Sequence, residues 1–479
     1  MMLRLVTFVR ARRFVLALLL CAVTVIVFES PWRLRPPLGT PLPTYDARDT
    51  ATVCAELNAV WGKDWPRVIL DLEKLRDERS TCGGQDPALT LYPAYYNYGV
   101  ALEARGDLPG AIIAYRKALE TSPKGTEAAR ALQKYGAFTP TPLETCSDAQ
   151  IQASLSAVPA YVPRGTGAFT TIQGGIFAVN GQPYRLRGIN YYPARAPWRR
   201  FLLEADPAAV AGELDLIAGA GFNTLRIFLW YDALFACPGS GAVPKPDAFA
   251  RLDTVIRLAA ERKLRLIVTL NDLPDLVIHP LYFDTQAAPA QTAYLVRRYA
   301  QEPAILAWDV RNEGDIDYMR GNAPSAAVLD WLRRTTAQIR QLDPNHLITA
   351  GWNEDTQATE SAVDFVSFHH WSTPQKLQQR LDALRSVTQK PVLLEEVGYS
   401  TFGGKEADQS ASLRDVLIAA ESSGVAGWLI WTAFDFSTEV TCWPPACPSQ
   451  DNGEHHFGLW RTDYSPKPAL DALKALIHP

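Results

Sequence analysis

The 479-residue sequence lacks the signs of several classes of protein. Its formal net charge is only −4, which gives no reason to expect nucleic acid as a partner. None of its seven cysteines forms a CxxC pair, which disfavours a zinc or thiol redox site. Two pairs of adjacent histidines, His369-His370 and His455-His456, have no third ligand at a helical or hairpin spacing. We therefore predict no metal and no cofactor. Hydrophobic residues make up 47% of the chain, as in an ordinary globular protein of two or three domains.

The N-terminus has no apolar run of the roughly 20 residues that a spanning helix prefers. It has instead four arginines, Arg4, Arg10, Arg12 and Arg13, followed by an uncharged, mostly apolar run over residues 14–28. No A-x-A-like cleavage site follows this run. We predict a signal anchor over residues 1–30 that reaches the membrane through 14–28, in preference to a cleaved signal. The bulk of the chain would then be exported.

Export would make disulfides plausible among the six cysteines outside the apolar run. Cys54 opens the first helix of a helical hairpin and Cys82 follows the second. Because the ends of an antiparallel helix pair meet, a Cys54–Cys82 bridge is the favoured pairing. Cys442 and Cys447 could close a single loop, and the complete connectivity stays open.

The segment before the last two thirds of the chain divides into three parts. Residues 31–49 are rich in proline and predict a stiff spacer. Residues 50–137 have helical patterns, with Tyr95, Gly99, Ala111 and Tyr115 at the offsets of a tetratricopeptide repeat. Residues 138–172 are predicted to form a linker. The helices at 50–137 could bind a protein partner or could serve only as a spacer or brace, and the sequence favours neither.

From residue 173 to 479 the pattern predicts a hairpin on Asn180-Gly181, followed by alternating strands and helices. Eight strands are predicted, at 184–190, 223–230, 264–270, 304–311, 347–351, 365–369, 392–396 and 426–432. Helices are predicted between them, at 208–220, 247–262, 290–301, 326–342, 373–388 and 413–423, with a closing helix at 467–476. The count favours a (β/α)8 barrel. An open doubly wound sheet is the alternative, and no glycine-rich phosphate loop follows the first strand to support it.

Two of these strands are apolar runs that lead to a carboxylate. The fourth is followed by Asn312-Glu313, and the seventh ends at Glu396. Parallel strands of a barrel bring their C-terminal ends to one rim, so paired carboxylates there suggest glycoside hydrolysis. Strand alternation favours Glu396 over Glu395 as the inward residue, which leaves Glu395 either behind the paired carboxylates or facing a helix. We also expect a bulge at the end of the fourth strand, and a structural ion pair between Asp309 and Arg311.

Tryptophans are concentrated near the predicted strand ends, where an aromatic face can stack on a sugar ring. They are Trp230, Trp352, Trp371, Trp431 and Trp443. This enrichment favours a carbohydrate cleft over a phosphate site.

Together these motifs resemble the clan A glycoside hydrolases, most closely family five, over roughly the last two thirds of the chain. The resemblance is carried by 188–191 (GINY), 223–226 (NTLR), Asn312-Glu313, 368–371 (FHHW), 396–398 (EVG) and Trp431. Two positions depart from the family pattern. Trp371 stands where a tyrosine near the nucleophile is common, so Tyr399 is a candidate substitute, and Asn271-Asp272 replace a frequent histidine.

The resemblance implies roles for particular residues. Glu313 would be the general acid and base, and Glu396 the nucleophile. Asn312 would bind the sugar 2-hydroxyl, while Arg226 would keep Glu396 ionised. His369 would orient groups beside the pair, and Trp431 would form the floor of the subsite. Further substrate contacts are expected from rim residues, namely Asn190, Tyr191, Trp352, Trp371 and Asp272.

The predicted function is that of a retaining β-glycosidase, or a transglycosylase, acting on a β-linked glucan or mannan. It would be membrane-anchored with the catalytic domain outside the cytoplasm, in the periplasm or at the cell surface. The alternative is a non-catalytic, glycan-binding scaffold in the assembly of envelope polysaccharide.

Overall fold

A computed structural model describes residues 49–78, 80–82, 86–122, 125–135, 144–274, 276, 281–319, 323–441 and 451–478. The predicted signal anchor, the spacer up to residue 48, Trp443 and the Cys442–Cys447 pair lie outside these residues. Within them, no helix is both long enough and apolar enough to cross a bilayer.

Eight parallel strands form the barrel that the sequence predicted. They are β4 (Leu186–Tyr191), β5 (Thr224–Phe228), β6 (Arg265–Thr269), β7 (Ile305–Asp309), β8 (Leu347–Thr349), β9 (Val366–His370), β10 (Val392–Val397) and β11 (Gly427–Ile430). Their order in the sheet is β8-β7-β6-β5-β4-β11-β10-β9. A parallel bridge between Trp352 and Phe368 joins the two outer strands and closes the cylinder.

The helices cover the outside of the barrel, so the strands are buried on both faces and need not alternate between polar and apolar residues. All five residues of β5, β6, β7 and β9 are buried. The surrounding helices are α7 (Arg200–Glu204), α8 (Pro207–Gly219), α9 (Tyr231–Leu234), α10 (Pro246–Glu261), α11 (Ala287–Tyr299), α12 (Gly314–Met319), α13 (Ser325–Leu342), α14 (Pro374–Val387), α15 (Glu406–Ser422) and α16 (Pro468–Ile477). Two short 3-10 turns are found at Thr356–Ala362 and Gly453–His456.

The end of the barrel opposite its catalytic rim is covered by a small antiparallel sheet. Its strands are β1 (Thr171–Gln173), β2 (Ile176–Val179) and β3 (Gln182–Pro183). The predicted hairpin connects β2 to β3, and both Asn180 and Gly181 have positive φ angles, 54° and 73°. These are the left-handed conformations that a two-residue Asn-Gly turn requires. Phe177 of this hairpin packs its ring against Phe365, just before β9.

The helical segment is confirmed. It consists of α1 (Thr50–Val60), α2 (Trp65–Asp77), α3 (Pro87–Ala104), α4 (Leu108–Thr121) and α5 (Thr126–Lys134). Aspartates cap the first four helices by accepting a backbone N–H, and α3 and α4 approach closely where Gly99 faces the ring of Tyr115. The predicted Cys54–Cys82 disulfide is present. The assignment of these helices to a tetratricopeptide repeat stays a prediction.

The stretch predicted as a linker contains a helix that the prediction omitted, α6 (Asp148–Ala157). It is fastened to the barrel by an unpredicted disulfide, Cys146–Cys237. Farther along, the buried Glu302 accepts hydrogen bonds from the Tyr161 hydroxyl and from the backbone N–H groups of Arg164 and Gly165, each at 2.7 Å. The stretch is therefore attached to the barrel domain at Cys146, Tyr161, Arg164 and Gly165.

Candidate active site

Glu313 lies beyond the end of its strand. β7 ends at Asp309, and the chain then turns so that Glu313 has a positive φ of 49°. Its N–H donates to the carbonyl oxygen of Gly351 at 2.7 Å, which holds this left-handed conformation against β8. The predicted bulge at the end of this strand is wrong, because a turn rather than an extra strand residue orients Glu313.

Glu396 remains inside its strand and lies directly beside a bulge, whereas the register shift of β7 against β6 lies at the start of that strand. The register of β10 shifts against β9 between Leu394 and Glu396. Because a bulge interrupts the alternation of side chains, both Glu395 and Glu396 turn towards the barrel interior. Glu395 is fully buried and its Oε1 lies 3.7 Å from Nε of Arg226. The expectation that only one of the two glutamates lies inside is therefore wrong, and of the two positions expected for Glu395 the one behind the paired carboxylates is the one found.

The two predicted catalytic carboxylates meet beside His369. One carboxylate oxygen of Glu313, one of Glu396 and a ring nitrogen of His369 all lie within 4.8 Å of one another. Nδ1 of His369 is 2.9 Å from Oε1 of Glu313 and 3.6 Å from Oε2 of Glu396. A separation of about 5–5.5 Å between carboxyl groups is typical of retaining glycosidases, whereas inverting ones leave about 6.5–9.5 Å for a water molecule. The geometry is therefore of the retaining kind.

Arg226 on β5 is the centre of the surrounding hydrogen bonds. Its guanidinium donates to Asp309 at 2.7 and 3.1 Å, to Asn312 at 3.0 Å and to Asn190 at 3.2 Å. It also contacts Glu396 directly. A planar guanidinium with five N–H groups can make all these bonds at once, which an ammonium cannot. Arg226 thereby sets the positions of residues from β4, β7 and β10.

The charges in this cluster shift the pKa of each catalytic group. Burial raises the pKa of Glu396 to about 7, against the opposing charges of His369 and Arg226. Burial would also raise the pKa of Glu313, but the hydrogen bond and charge of His369 outweigh it and the pKa is lowered. For His369, burial lowers the pKa, yet the charges of Glu396 and Glu313 leave it raised. The expected ionisation of Glu396 by Arg226 is thus outweighed by burial in the free site.

A second cluster lies beside the first, at the end of β6. Asp272 accepts from the Tyr192 hydroxyl at 2.5 Å and from the Asn312 side chain at 2.9 Å. Trp230 donates its indole N–H to the same tyrosine oxygen at 2.8 Å. Asp272 and Trp230 also line a small pocket together with Asn271 and Leu273. Asp272 thus positions Asn312 and borders this pocket.

Three predicted substrate contacts lie elsewhere. Tyr191 is fully buried and donates to Glu213 at 2.7 Å, between the barrel wall and α8. Trp352 is also fully buried, because the bridge to Phe368 draws it into the wall. Asn190 is buried too, and its side-chain amide donates to the carbonyl oxygens of Glu395 and Ile430 at 2.9 and 3.2 Å. None of the three can touch a sugar, and Asn190 acts through Arg226 instead.

The remaining predicted aromatics are accessible. Trp371 is 39% exposed and meets the ring of Phe457 edge-on, while Trp431 is partly buried with its ring edge on Phe228. Tyr399, the candidate substitute near the nucleophile, donates instead to the carbonyl oxygen of Ser372 at 2.6 Å.

The predicted ion pair between Asp309 and Arg311 is wrong, because Asp309 pairs with Arg226. Arg311 is held by a different carboxylate, Asp317 on α12, at 2.7 Å. Sequence reasoning missed Asp309 and Tyr192 as members of the site. Asp309 shares its parity along β7 with Glu313, and Tyr192 directly follows the 188–191 motif, so both had a sequence signal that was assigned to other roles.

An eight-stranded parallel barrel with two close carboxylates at its catalytic rim defines a glycoside hydrolase that retains anomeric configuration. The chain belongs to glycosyl hydrolase family 5, since residues 179–434 match the family described as "Cellulase (glycosyl hydrolase family 5)".

Curated relatives are similar over the same region. Mannan endo-1,4-beta-mannosidase A of Podospora anserina is 26% identical over 340 residues, covering 58% of this chain and 85% of the relative. The protein of the same name from Hypocrea jecorina is 28% identical over 235 residues, covering 43% of this chain and 51% of the relative, so the match spans about half its length.

Solved structures share the fold. Exo-beta-1,4-mannosidase Op5Man5 from Opitutaceae bacterium strain TAV5 matches with a TM-score of 0.54 at 23% identity, covering 64% of this chain and 62% of that one. GH5_18 from Streptomyces cattleya, in complex with GlcNAc, matches with a TM-score of 0.52 at 21% identity, covering 61% and 80%.

Proposed function

We propose that this chain is a β-mannanase that hydrolyses β-1,4 bonds of mannan, with Glu313 as general acid and base and Glu396 as nucleophile. The observation that carries the proposal is the approach of oxygens from Glu313 and Glu396 to within 4.8 Å. At that separation one carboxylate can attack the anomeric carbon while the other protonates the leaving oxygen. Mannan is preferred to glucan because the curated relatives are named as mannan endo-1,4-beta-mannosidases.

The first step needs a proton on Glu313 and a negative charge on Glu396, whereas the pKa shifts of the free site favour the reverse. His369 lies between the two and can correct this. Its Nδ1 is 2.9 Å from Glu313 and 3.6 Å from Glu396. If Nδ1 of His369 gave its proton to Glu313 and then took the proton of Glu396, the acid would be protonated and the nucleophile would be ionised. His369 is therefore proposed as the proton carrier of the pair.

The second step uses the same residues in reversed roles. Glu313, now ionised, would take a proton from water as that water attacks the glycosyl-enzyme intermediate and frees Glu396. A sugar hydroxyl in place of water would give transglycosylation by the same route. Asn312 contacts both Arg226 and Asp272, and it would bind the 2-hydroxyl of the reacting sugar. Trp431 would be the floor of that subsite and Trp371 an outer platform.

We also infer that the enzyme works outside the cytoplasm, because its two disulfides, Cys54–Cys82 and Cys146–Cys237, fit an oxidising compartment. The signal anchor at residues 1–30 stays a prediction, as does a protein partner for helices α1 to α5. A purely glycan-binding scaffold has no observation in its favour, since the catalytic pair is complete.

The deciding experiment is product analysis on a panel of mannan, β-glucan and short manno-oligosaccharides. We expect mannan to be cleaved and the first-formed products to keep the β configuration, as read by ¹H NMR of the anomeric proton. The matched control is the double variant E313Q/E396Q, which keeps side-chain shape and removes both carboxylates. Release of products from glucan alone would reject mannan as the substrate, and α-configured first products would reject the assigned roles.

A further inference from the structure

Glu395 is a buried carboxylate that has no role in the proposed double displacement. Glu395 is fully buried beside the nucleophile, and neither of its carboxylate oxygens has a hydrogen-bond partner among the residues that the structure describes. Nε2 of His369 is also buried without a hydrogen-bond partner among these residues, although Nδ1 of the same ring contacts Glu313. Unsatisfied buried polar atoms are uncommon and costly, so two such groups close together call for a shared explanation.

Gly351, at the end of β8, shows how close the two groups are. Oε2 of Glu395, Nε2 of His369 and Nη2 of Arg226 all lie within 3.0 Å of the point where a Cβ on Gly351 would be. Any side chain at this position would displace them. The absence of a Cβ thus leaves a small polar space that is bordered by an acid, an imidazole and a guanidinium.

The charges around this space do not balance with every acid ionised. Asp309, Glu395 and Glu396 are buried carboxylates around the single guanidinium of Arg226. Asp309 is satisfied twice, by Arg226 and by the Thr269 hydroxyl at 2.6 Å, and Glu396 contacts Arg226 directly. Glu395 has the weakest contact with Arg226, at 3.7 Å.

The other neighbours of Glu395 offer only partial compensation. The hydroxyl of Ser367 on β9 contacts Thr349 at 2.7 Å and also lowers the pKa of Glu395. Glu395 is therefore the least compensated of the three carboxylates, and it lies beside Nε2 of His369. Burial, opposed by Arg226 and supported by Asp309, raises the pKa of Glu395 to about 7, and the pKa of His369 is also raised.

We infer that Glu395 is a positioning residue that shares one proton with Nε2 of His369, either directly or through one water molecule. With this proton on the acid, Nε2 accepts it; with the proton on the imidazole, Nε2 donates to the carboxylate. In both states Nδ1 carries a proton directed at Glu313 and Glu396, which it can pass on in the first step. Glu395 thus fixes the ring of the proton carrier and sets its affinity for a second proton, an inference that builds on the proposed function.

The test is an NMR titration of His369 in the full chain, assigned among the seven histidines by the H369N variant. A negative neighbour favours the protonated imidazole, so E395Q should lower the pKa of His369 by about one unit, a tenfold loss of proton affinity. The matched control is E213Q. Glu213 is also a buried carboxylate, but it is held by the hydroxyls of Tyr191 and Tyr464 on the far side of the wall.

A pKa of His369 that is unchanged in E395Q would overturn the inference, as would an equal shift in E213Q. If E395Q does not fold, the unsubstituted protein decides: the His369 signals should titrate in two steps, one of them due to Glu395, and a single step would contradict the coupling. The measurement needs no substrate. A failure of the proposed mannanase activity would therefore leave the result interpretable, and the reverse also holds.

Discussion

The ends of β7 and β10 have similar sequences and different structures. Both are apolar strands that lead to a glutamate, yet Glu313 lies four residues beyond the end of β7 in a left-handed turn, whereas Glu396 is still within β10 beside a bulge. Glu313 consequently keeps some solvent contact, with its side chain 19% exposed, and the Glu396 side chain is only 5% exposed.

These two environments suit the two chemical roles proposed for the glutamates. A group that protonates a leaving oxygen and later activates water needs access to solvent, and a loop position gives it that access. A nucleophile needs to be held rigidly below the anomeric carbon, and a strand fixed by Arg226 and His369 provides that. Environment rather than residue type separates the two carboxylates.

Removal of Glu396, the proposed nucleophile, should have the largest effect. E396G should lower kcat on mannan by about 10⁴-fold or more, because no covalent intermediate can form. Azide, small enough to enter the space of the missing side chain, should restore turnover with an activated aryl β-mannoside. The product should be the α-mannosyl azide, identified by NMR, since azide attacks from the side that Glu396 occupied. A β-azide would place the nucleophile elsewhere.

Removal of Glu313 should have an effect that depends on the substrate. E313A should lose about 10²–10⁴-fold on mannan, whose leaving oxygen needs a proton. It should lose far less in the first step with a dinitrophenyl β-mannoside, whose leaving group needs none. Burst kinetics would separate the two steps. An equal loss on both substrates would indicate that Glu313 does not act as the acid.

Much of this arrangement could be predicted from the sequence, because it depends on patterns with a short range. Apolar runs with a polar residue at their end located all eight strands within a few residues, and Asn312, Glu313 and Glu396 followed from their position there. The Asn180-Gly181 turn and the Cys54–Cys82 pairing were predictable for the same reason, since local geometry decides both.

The wrong predictions for Glu395, Tyr191 and Trp352 have a common cause, which a local sequence pattern does not reveal. A one-residue bulge in β10 reverses the orientation of Glu395, and parity cannot reveal where a bulge lies. Tyr191 and Trp352 were assigned to the rim because they end strands, although closure of the barrel buries both. Only the register between distant strands determines these outcomes.

Arg226 joins the two strand ends, so its removal should weaken both. R226M should lower the free energy of unfolding by about 3–5 kcal/mol, because Asp309 and Glu396 would remain as buried charges without a partner. Without the cation the pKa of Glu396 should rise further, and the alkaline limb of kcat/KM should move to higher pH. Chemical denaturation and a pH profile measure the two effects.

The control for R226M is R262M. It removes the Arg262–Asp215 pair, whose aspartate side chain is 66% exposed, and should change stability by less than about 1 kcal/mol. Equal destabilisation by the two variants would mean that the buried network does not hold the site.

The pH dependence should report on His369 as the link between the two carboxylates. In the unsubstituted enzyme kcat/KM should fall above a pH of about 7, because the pair then loses the single proton that the first step needs on Glu313. His369 lowers the pKa of both Glu313 and Glu396, so H369N should shift both limbs of the profile to higher pH and reduce the rate at neutrality by about 10²-fold. H370N is the control, because His370 contacts the carbonyl oxygen of Thr373 instead. A profile unchanged in H369N would exclude it as the proton carrier.

The smallest expected effects are those of single tyrosine substitutions, which distinguish a residue of the barrel wall from a residue of the rim. Tyr191 and Tyr192 are adjacent, but Tyr191 donates to Glu213 near α8 and Tyr192 donates to Asp272 beside Asn312. Y191F should lower stability by about 1–2 kcal/mol, because Glu213 loses a donor, and leave kcat/KM unchanged. Y192F should cost similar stability and also lower kcat/KM, because Asp272 then holds Asn312 less firmly against the 2-hydroxyl. If Y191F reduced kcat/KM as much as Y192F, the assignment of the two tyrosines to different faces of the barrel would be wrong.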